Sequence, residues 1–158
     1  MLAAQQHAQR NILRDPDADL FNVASAKRNN RVRRLVLLVE DDPFTRRLVM
    51  TSLKGDYDVM EAGNGEEAIR AYENFAPDAV FLDIGLPDVN GQVILGKLLA
   101  LDKFAFVIML SANSVKENIL AALEKGAQGF VTKPFAKDKL IHYLRLCDNM
   151  RRARTTHL

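Results

Sequence analysis

From Leu35 onward the chain alternates short, continuous apolar runs with longer segments whose apolar residues recur every three or four positions. The strongest runs cover residues 35–39, 79–82 and 106–110. Unbroken apolar stretches of this length fit strands covered on both faces. Two weaker runs, 57–62 and 129–132, bring the set to five. The run at 57–62 carries Asp58 and Glu61, which suits an edge strand.

The segments between the runs read as helices with identifiable starts. Asp42 before Pro43 is an N-cap with proline at the first helical position. Asn64 with Glu67, and Ser114 with Glu117, have capping-box spacing. The apolar stripes expected to face the sheet are Phe44 and Leu48; Ala68, Ile69 and Tyr72; Ile94, Leu95, Leu98 and Leu99; Ile119, Leu120 and Leu123. Gly126 should end the fourth helix. A fifth, with Leu140, Ile141, Leu144 and Cys147, closes the series. Successive strand–helix units of this kind predict an α/β fold, a doubly wound five-stranded parallel sheet with helices on both faces.

Charge changes the picture at the ends. The 158 residues carry a formal net charge of +2 with a sequence pI near 8.8. Residues 1–34 hold seven basic side chains against three aspartates, a net of +4. Residues 145–158 hold four against one, a net of +3. The stretch between them is therefore at −5. An acidic body with two basic ends removes the reading of a uniformly basic nucleic-acid binder. Arg151, Arg152 and Arg154 are read as a solvated helix end, since no aromatics interleave with them to hold bases.

Residues 1–32 are expected to be an extension or linker, with Asp15-Pro16-Asp17 breaking any helix and Lys27-Arg28-Asn29-Asn30 reading as loop. Ile12, Leu13, Leu20 and Phe21 could dock weakly on the body. The main domain is expected at 33–150, with 151–158 a basic tail. The single cysteine, Cys147, excludes an internal disulfide and reads as a small buried hydrophobe. His7, His142 and His157 have no metal-ligand spacing. No stretch reaches the ~18 apolar residues of a membrane span, and the polar N-terminus lacks a secretion signal. A cytoplasmic protein is the expectation.

The informative residues are those that follow each buried run. The first is followed by Glu40 and Asp41, the third by Asp83, the fourth by Ser111 and the fifth by Lys133. In an open parallel sheet these positions share one edge, where ligands bind at the switch in strand order. Three close carboxylates repel one another unless a cation joins them. Oxygen ligands with open positions suit Mg²⁺. An ammonium and a hydroxyl can hold phosphoryl oxygens, and a carboxylate can itself accept the phosphoryl group. The strand ends thus point to Mg²⁺-dependent phosphorylation of an aspartate.

Val39-Glu40-Asp41-Asp42-Pro43, Asp83-Ile84-Gly85-Leu86-Pro87 with Gly91, Ser111-Ala112 and Lys133-Pro134-Phe135 resemble the signature segments of response-regulator receiver domains of two-component systems. The resemblance covers about residues 33–150, and its strength lies in the complete ordered set. It implies a flavodoxin-like (βα)5 fold with strand order 2-1-3-4-5. It implies Asp83 as phosphoacceptor, and Asp41, Asp83 and the Gly85 carbonyl as Mg²⁺ ligands, with Glu40 acting through water. Lys133 would pair with Asp83 and its phosphoryl group. Ser111 and Phe130 would form the switch, and Pro134 would shape the loop through a cis bond to Lys133. Such a protein is not an enzyme in the ordinary sense. Its partners would be a histidine kinase or histidine phosphotransfer protein and a downstream target or output domain, and the face of the fourth and fifth helices could pair two copies. Two departures, Glu40 for the commoner Asp and Ser111 for the commoner Thr, keep the needed atoms. Phe130 has no hydroxyl to anchor, and Gly85 leaves the site open to water.

Two other functions compete. An aspartate-nucleophile phosphohydrolase would want a second carboxylate two residues after Asp83, where Gly85 stands. A nucleotide-binding domain could use Gly63 and Gly65, which open a helix in a G-x-G-x-x-A pattern. Against it, the preceding strand is charged, and a turn with a helix cap explains both glycines.

Overall fold

The computed structural model describes the backbone of residues 16–156 and the side chains of 23–156. Eleven elements follow in order: α1 (Pro16–Asn29), β1 (Leu35–Val39), α2 (Pro43–Leu53), β2 (Asp58–Ala62), α3 (Gly65–Phe75), β3 (Ala79–Asp83), α4 (Gly91–Leu101), β4 (Val107–Ser111), α5 (Lys116–Lys125), β5 (Gly129–Thr132) and α6 (Lys137–Thr156). The five strands form one parallel sheet in the order β2-β1-β3-β4-β5.

Alternation along the strands splits the core in two. Leu37, Val39, Val80, Leu82, Val107 and Met109 face Ala68, Tyr72, Ile94, Leu95, Leu98 and Ala122 on α3, α4 and α5. Val36, Leu38, Phe81, Ile108 and Leu110 face Val49, Leu53, Leu140, Leu144 and Cys147 on α2 and α6. Every residue of β3 and β4 is buried, whereas β2 leaves Asp58 and Glu61 exposed at the edge. Each fully buried Leu, Ile or Phe contributes about 1.5–3 kcal/mol of transfer free energy, so this double core fixes the sheet.

Several local expectations change. Phe44 and Leu48 are exposed; α2 buries Val49 and Leu53 instead. Both pairs have the same i, i+4 spacing, so periodicity alone does not select the buried face. Likewise α5 buries Ala122 and leaves Leu120 and Leu123 exposed. Ser114 does not cap α5, which starts at Lys116 after Val115 with no side-chain cap. Asn64 does cap α3, but Glu67 bonds the N–H of Gly63 rather than closing the box on Asn64.

The largest difference lies before β1. Pro16 starts a helix rather than preventing one, as proline can at a first helical position. The segment expected to be a linker is the end of that helix. Arg28 is buried, donating to the Asp102 carboxylate at 2.7 Å, the Tyr72 hydroxyl at 2.8 Å and the Pro77 carbonyl at 3.1 Å. Lys27 bonds the carbonyls of Glu73 and Asn74, and Arg31 those of Phe75 and Ala76. Cations thereby meet the negative end of the α3 dipole and its unpaired carbonyls. Ile12, Leu13 and His7 lie outside the described residues, as do the side chains of Leu20 and Phe21 and all of His157.

Candidate phosphoryl and metal site

Parallel registration brings the polar residues together. Val39 pairs with Leu82, so one step further sets Glu40 beside Asp83. Asp83 pairs with Leu110, and Ser111 with Thr132, the residue before Lys133. The Glu40, Asp41 and Asp83 carboxylates each offer an oxygen within 4.8 Å of the others. Glu40 and Asp83 are buried and Asp41 is exposed, leaving one open side. Oxygen donors open to solvent on one side fit Mg²⁺, which retains waters.

Lys133 closes the other side. Its ammonium bonds Glu40 and lies 3.4 Å from Asp83. Burial alone would lower the Lys133 pKa, but the Glu40 hydrogen bond and the Asp83 charge hold it above its usual value. Burial pushes the Glu40 carboxyl upward, and Asp83 adds repulsion; Lys133 and the Asp42 N–H offset only part of this. The Lys133–Pro134 bond is cis. The Gly85 N–H donates to Asp83 Oδ1 at 3.3 Å. Ser111 Oγ, at the end of β4, accepts the Asn113 N–H at 3.0 Å. Phe130 is half-buried on β5 against the α3–α5 core.

The loops are held close. A Cβ at Gly91 would lie 2.2 Å from the Asp83 carbonyl oxygen, so only glycine lets α4 start there. Asn90 caps α4 through the Gln92 N–H at 2.8 Å. Asp42 caps α2 through Thr45, as its place before Pro43 predicts. Asp88 caps a neighbouring helix, taking the N–H groups of Gly65 and Glu66. With Glu67 on Gly63, both glycines of the apparent nucleotide fingerprint already serve carboxylates of this chain. They do not form a phosphate cradle.

Arg46 is the contact that the sequence did not disclose. It donates to the Glu40 carbonyl at 2.9 Å and the Asp41 carbonyl at 3.3 Å, and lies 3.5 Å from Glu61 on the edge strand. It braces the acidic loop without touching the three clustered carboxylates. Its spacing from Asp42 was the available hint, since a first-turn side chain can fold back on the loop before its helix.

A parallel sheet with this acidic edge defines a class: an α/β protein whose strand-end carboxylates could hold a metal ion beside one ammonium. The chain belongs to the response regulator receiver domain family, which it matches over residues 36–145. It is 38% identical over 111 residues to the chemotaxis protein CheY of Listeria monocytogenes, covering 69% of this chain and 93% of that protein. It is 40% identical over 112 residues to the transcriptional regulatory protein KdpE of Mycobacterium tuberculosis, covering 70% of this chain but 49% of that protein. Among solved structures, the CheX–CheY–BeF3–Mg²⁺ complex of Borrelia burgdorferi superposes with a TM-score of 0.67 at 32% identity, covering 70% of this chain and 86% of that one. The chain is thus a receiver domain of two-component signalling, a phosphoacceptor switch by family. Among the described residues no helix is long and apolar enough to cross a membrane.

Proposed function

We propose that Asp83 receives the phosphoryl group and that Glu40, Asp41 and the Gly85 carbonyl complete a Mg²⁺ site with it. The observation that carries this reading is the convergence of three carboxylates within 4.8 Å beside a single ammonium. Mg²⁺, when bound, would supply charge neutralisation for the incoming phosphoryl oxygens. Asp41 and Asp83 would be direct ligands and Glu40 would act through water. The Borrelia relative's complex, which holds BeF3 and Mg²⁺, supports this choice of chemistry.

An Asp83 carboxylate oxygen attacks phosphorus, and the bond from phosphorus to the donor's imidazole nitrogen breaks. The nitrogen keeps the electron pair, and an acyl phosphate forms on Asp83. Lys133 holds a phosphoryl oxygen by charge, and Ser111 donates its hydroxyl to another. Ser111 Oγ accepts the Asn113 N–H, so its own proton is free to be donated. Movement of the hydroxyl, with a change in Phe130 packing, shifts a pre-existing equilibrium toward a new surface on α5, β5 and α6.

The donor is a histidine kinase or histidine phosphotransfer protein. The output is a contact with a downstream protein or an output domain, and pairing of two copies through α5 and α6 belongs to the same reading. Residues 33–150 form the switch unit, which acts in the cytoplasm. The test is intact mass after exposure to a small phosphodonor with Mg²⁺. One phosphoryl should be gained by the native chain and none by Asp83→Asn; labelling of the variant at the native level would sink the assignment.

A further inference from the structure

The two basic ends of the sequence meet in space. The last turns of α1, the residue before β1 and the end of α6 border a half-open cavity of about 430 Å³. Five arginines line it: Arg28, Arg34, Arg151, Arg152 and Arg154. Among the described residues no carboxylate lines it. Its volume lies in the range of small-molecule sites.

The arginines differ in how far they are already used. Arg28 is consumed by Asp102, Tyr72 and Pro77. Arg34 meets Asp148 through Nε at 3.0 Å and Asp78 at 3.5 Å. Arg151 donates to the Asp78 carbonyl at 3.2 Å. Arg154 lies over the Phe104 ring at 4.2 Å and has no carboxylate partner among the described residues. Arg152 is exposed and has no carboxylate partner among the described residues. Burial, and then repulsion from Arg151, holds the Arg154 pKa below its usual value. Asp102 offsets Arg28 and Asp148 offsets Arg34, while the Asp78 carboxylate is shared between Arg34 and Arg31, so among the described residues Arg151, Arg152 and Arg154 have no carboxylate partner.

Guanidinium forks match phosphate oxygens, and several forks on one cavity match several phosphates. Ser25, Thr155 and Thr156 add hydroxyls to the lining. Among the described residues no aromatic ring lines the cavity to take a base. We propose that this cavity binds a small anion carrying two or more linked phosphate groups, held chiefly by Arg152 and Arg154. The site is separate from the phosphoryl site. Arg34 precedes β1 and Glu40 follows it, so the two lie at opposite edges of the sheet, about 20 Å apart along the strand. Nothing in the proposal depends on the reading of Asp83.

The test is calorimetric titration of the full chain with tripolyphosphate, with EDTA present to exclude metal at the acidic edge. Saturable 1:1 binding is expected, beyond any effect of sodium chloride at matched ionic strength. Arg152→Gln changes an exposed residue, so its fold should survive, and it should weaken binding about tenfold. Lys133→Gln, at the other edge, should leave the affinity unchanged. Adenosine triphosphate binding tighter than tripolyphosphate would identify a nucleotide as the source of the phosphates; equal binding would identify bare polyphosphate. Absence of saturable binding, or native affinity in Arg152→Gln, would overturn the proposal. So would loss of binding in Lys133→Gln, or a duplex oligonucleotide that binds tenfold tighter than tripolyphosphate.

Discussion

Two buried carboxylates at opposite ends of the sheet are pushed in opposite directions. Glu40, at the carboxyl edge, is raised by burial and by Asp83, against which Lys133 is an incomplete answer. Burial would raise Asp102 at the amino edge too, but Arg28, the Tyr72 hydroxyl and the Phe104 N–H outweigh it and hold it below the usual carboxylate range. Burial is common to both, so the difference is the supply of donors. At the amino edge the Asp102 charge is closed within the chain by Arg28, which binds α1 to the body. The carboxyl edge leaves three carboxylates to one ammonium and stays poised for a cation.

The largest effect expected from this contrast is at the closed end. Asp102→Ala strands Arg28, whose side chain is 4% exposed. Removing one partner of a buried pair costs about 3–5 kcal/mol, to be read from urea unfolding. A loss below about 1 kcal/mol would mean that α1 is not held as described. The pH dependence has a definite sign. The folded Asp102 pKa is depressed, so its stabilisation is present above the unfolded value, about 3.9. It is lost as pH falls through the folded value. Asp102→Ala should lack that component of acid unfolding.

At the open end, Mg²⁺ in hundredfold excess over its Kd should stabilise the native chain by about 2–3 kcal/mol, and Asp41→Ala should remove that gain. A native melting curve that ignores Mg²⁺ would break the contrast. A smaller effect of opposite sign to that of Asp102→Ala comes next. Without metal, Asp83→Asn relieves carboxylate repulsion within 4.8 Å and should raise stability by on the order of 1 kcal/mol. The same class of change, removal of a buried aspartate charge, would then stabilise one edge and destabilise the other.

The open edge was legible in the sequence and the closed one was not, for a physical reason. Glu40, Asp83, Ser111 and Lys133 each follow an apolar run, so the rule that parallel strands end on one side gathers them without coordinates. The Arg28 partners Tyr72 and Asp102 lie 44 and 74 residues away. Tyr72 occupies an ordinary core position on α3, and Asp102 follows α4 in a turn. No local pattern joins them, and Lys27-Arg28-Asn29-Asn30 has the composition of a loop. Pro16 compounds the difficulty, because proline both ends helices and begins them. The exposed Phe44 and Leu48 show a related limit: a helical period gives a stripe but not which neighbour covers it.

The smallest prediction separates burial from charge within the closed edge itself. Lys27 and Arg28 are adjacent and both reach from α1 to the body. The Lys27 ammonium meets the Glu73 and Asn74 carbonyls in exposed surroundings, at 3.3 and 2.9 Å. A cation at an exposed helix C-terminus is worth about 0.3–1 kcal/mol and is screened by salt. Lys27→Ala should therefore cost no more than that in dilute buffer, and less at 1 M salt. The loss in Asp102→Ala, coming from a pair that solvent ions do not reach, should persist at the same salt. If Lys27→Ala costs as much as Asp102→Ala, the docking of α1 rests on its whole charged face. Unequal costs with unequal salt dependence place the anchor at the buried guanidinium.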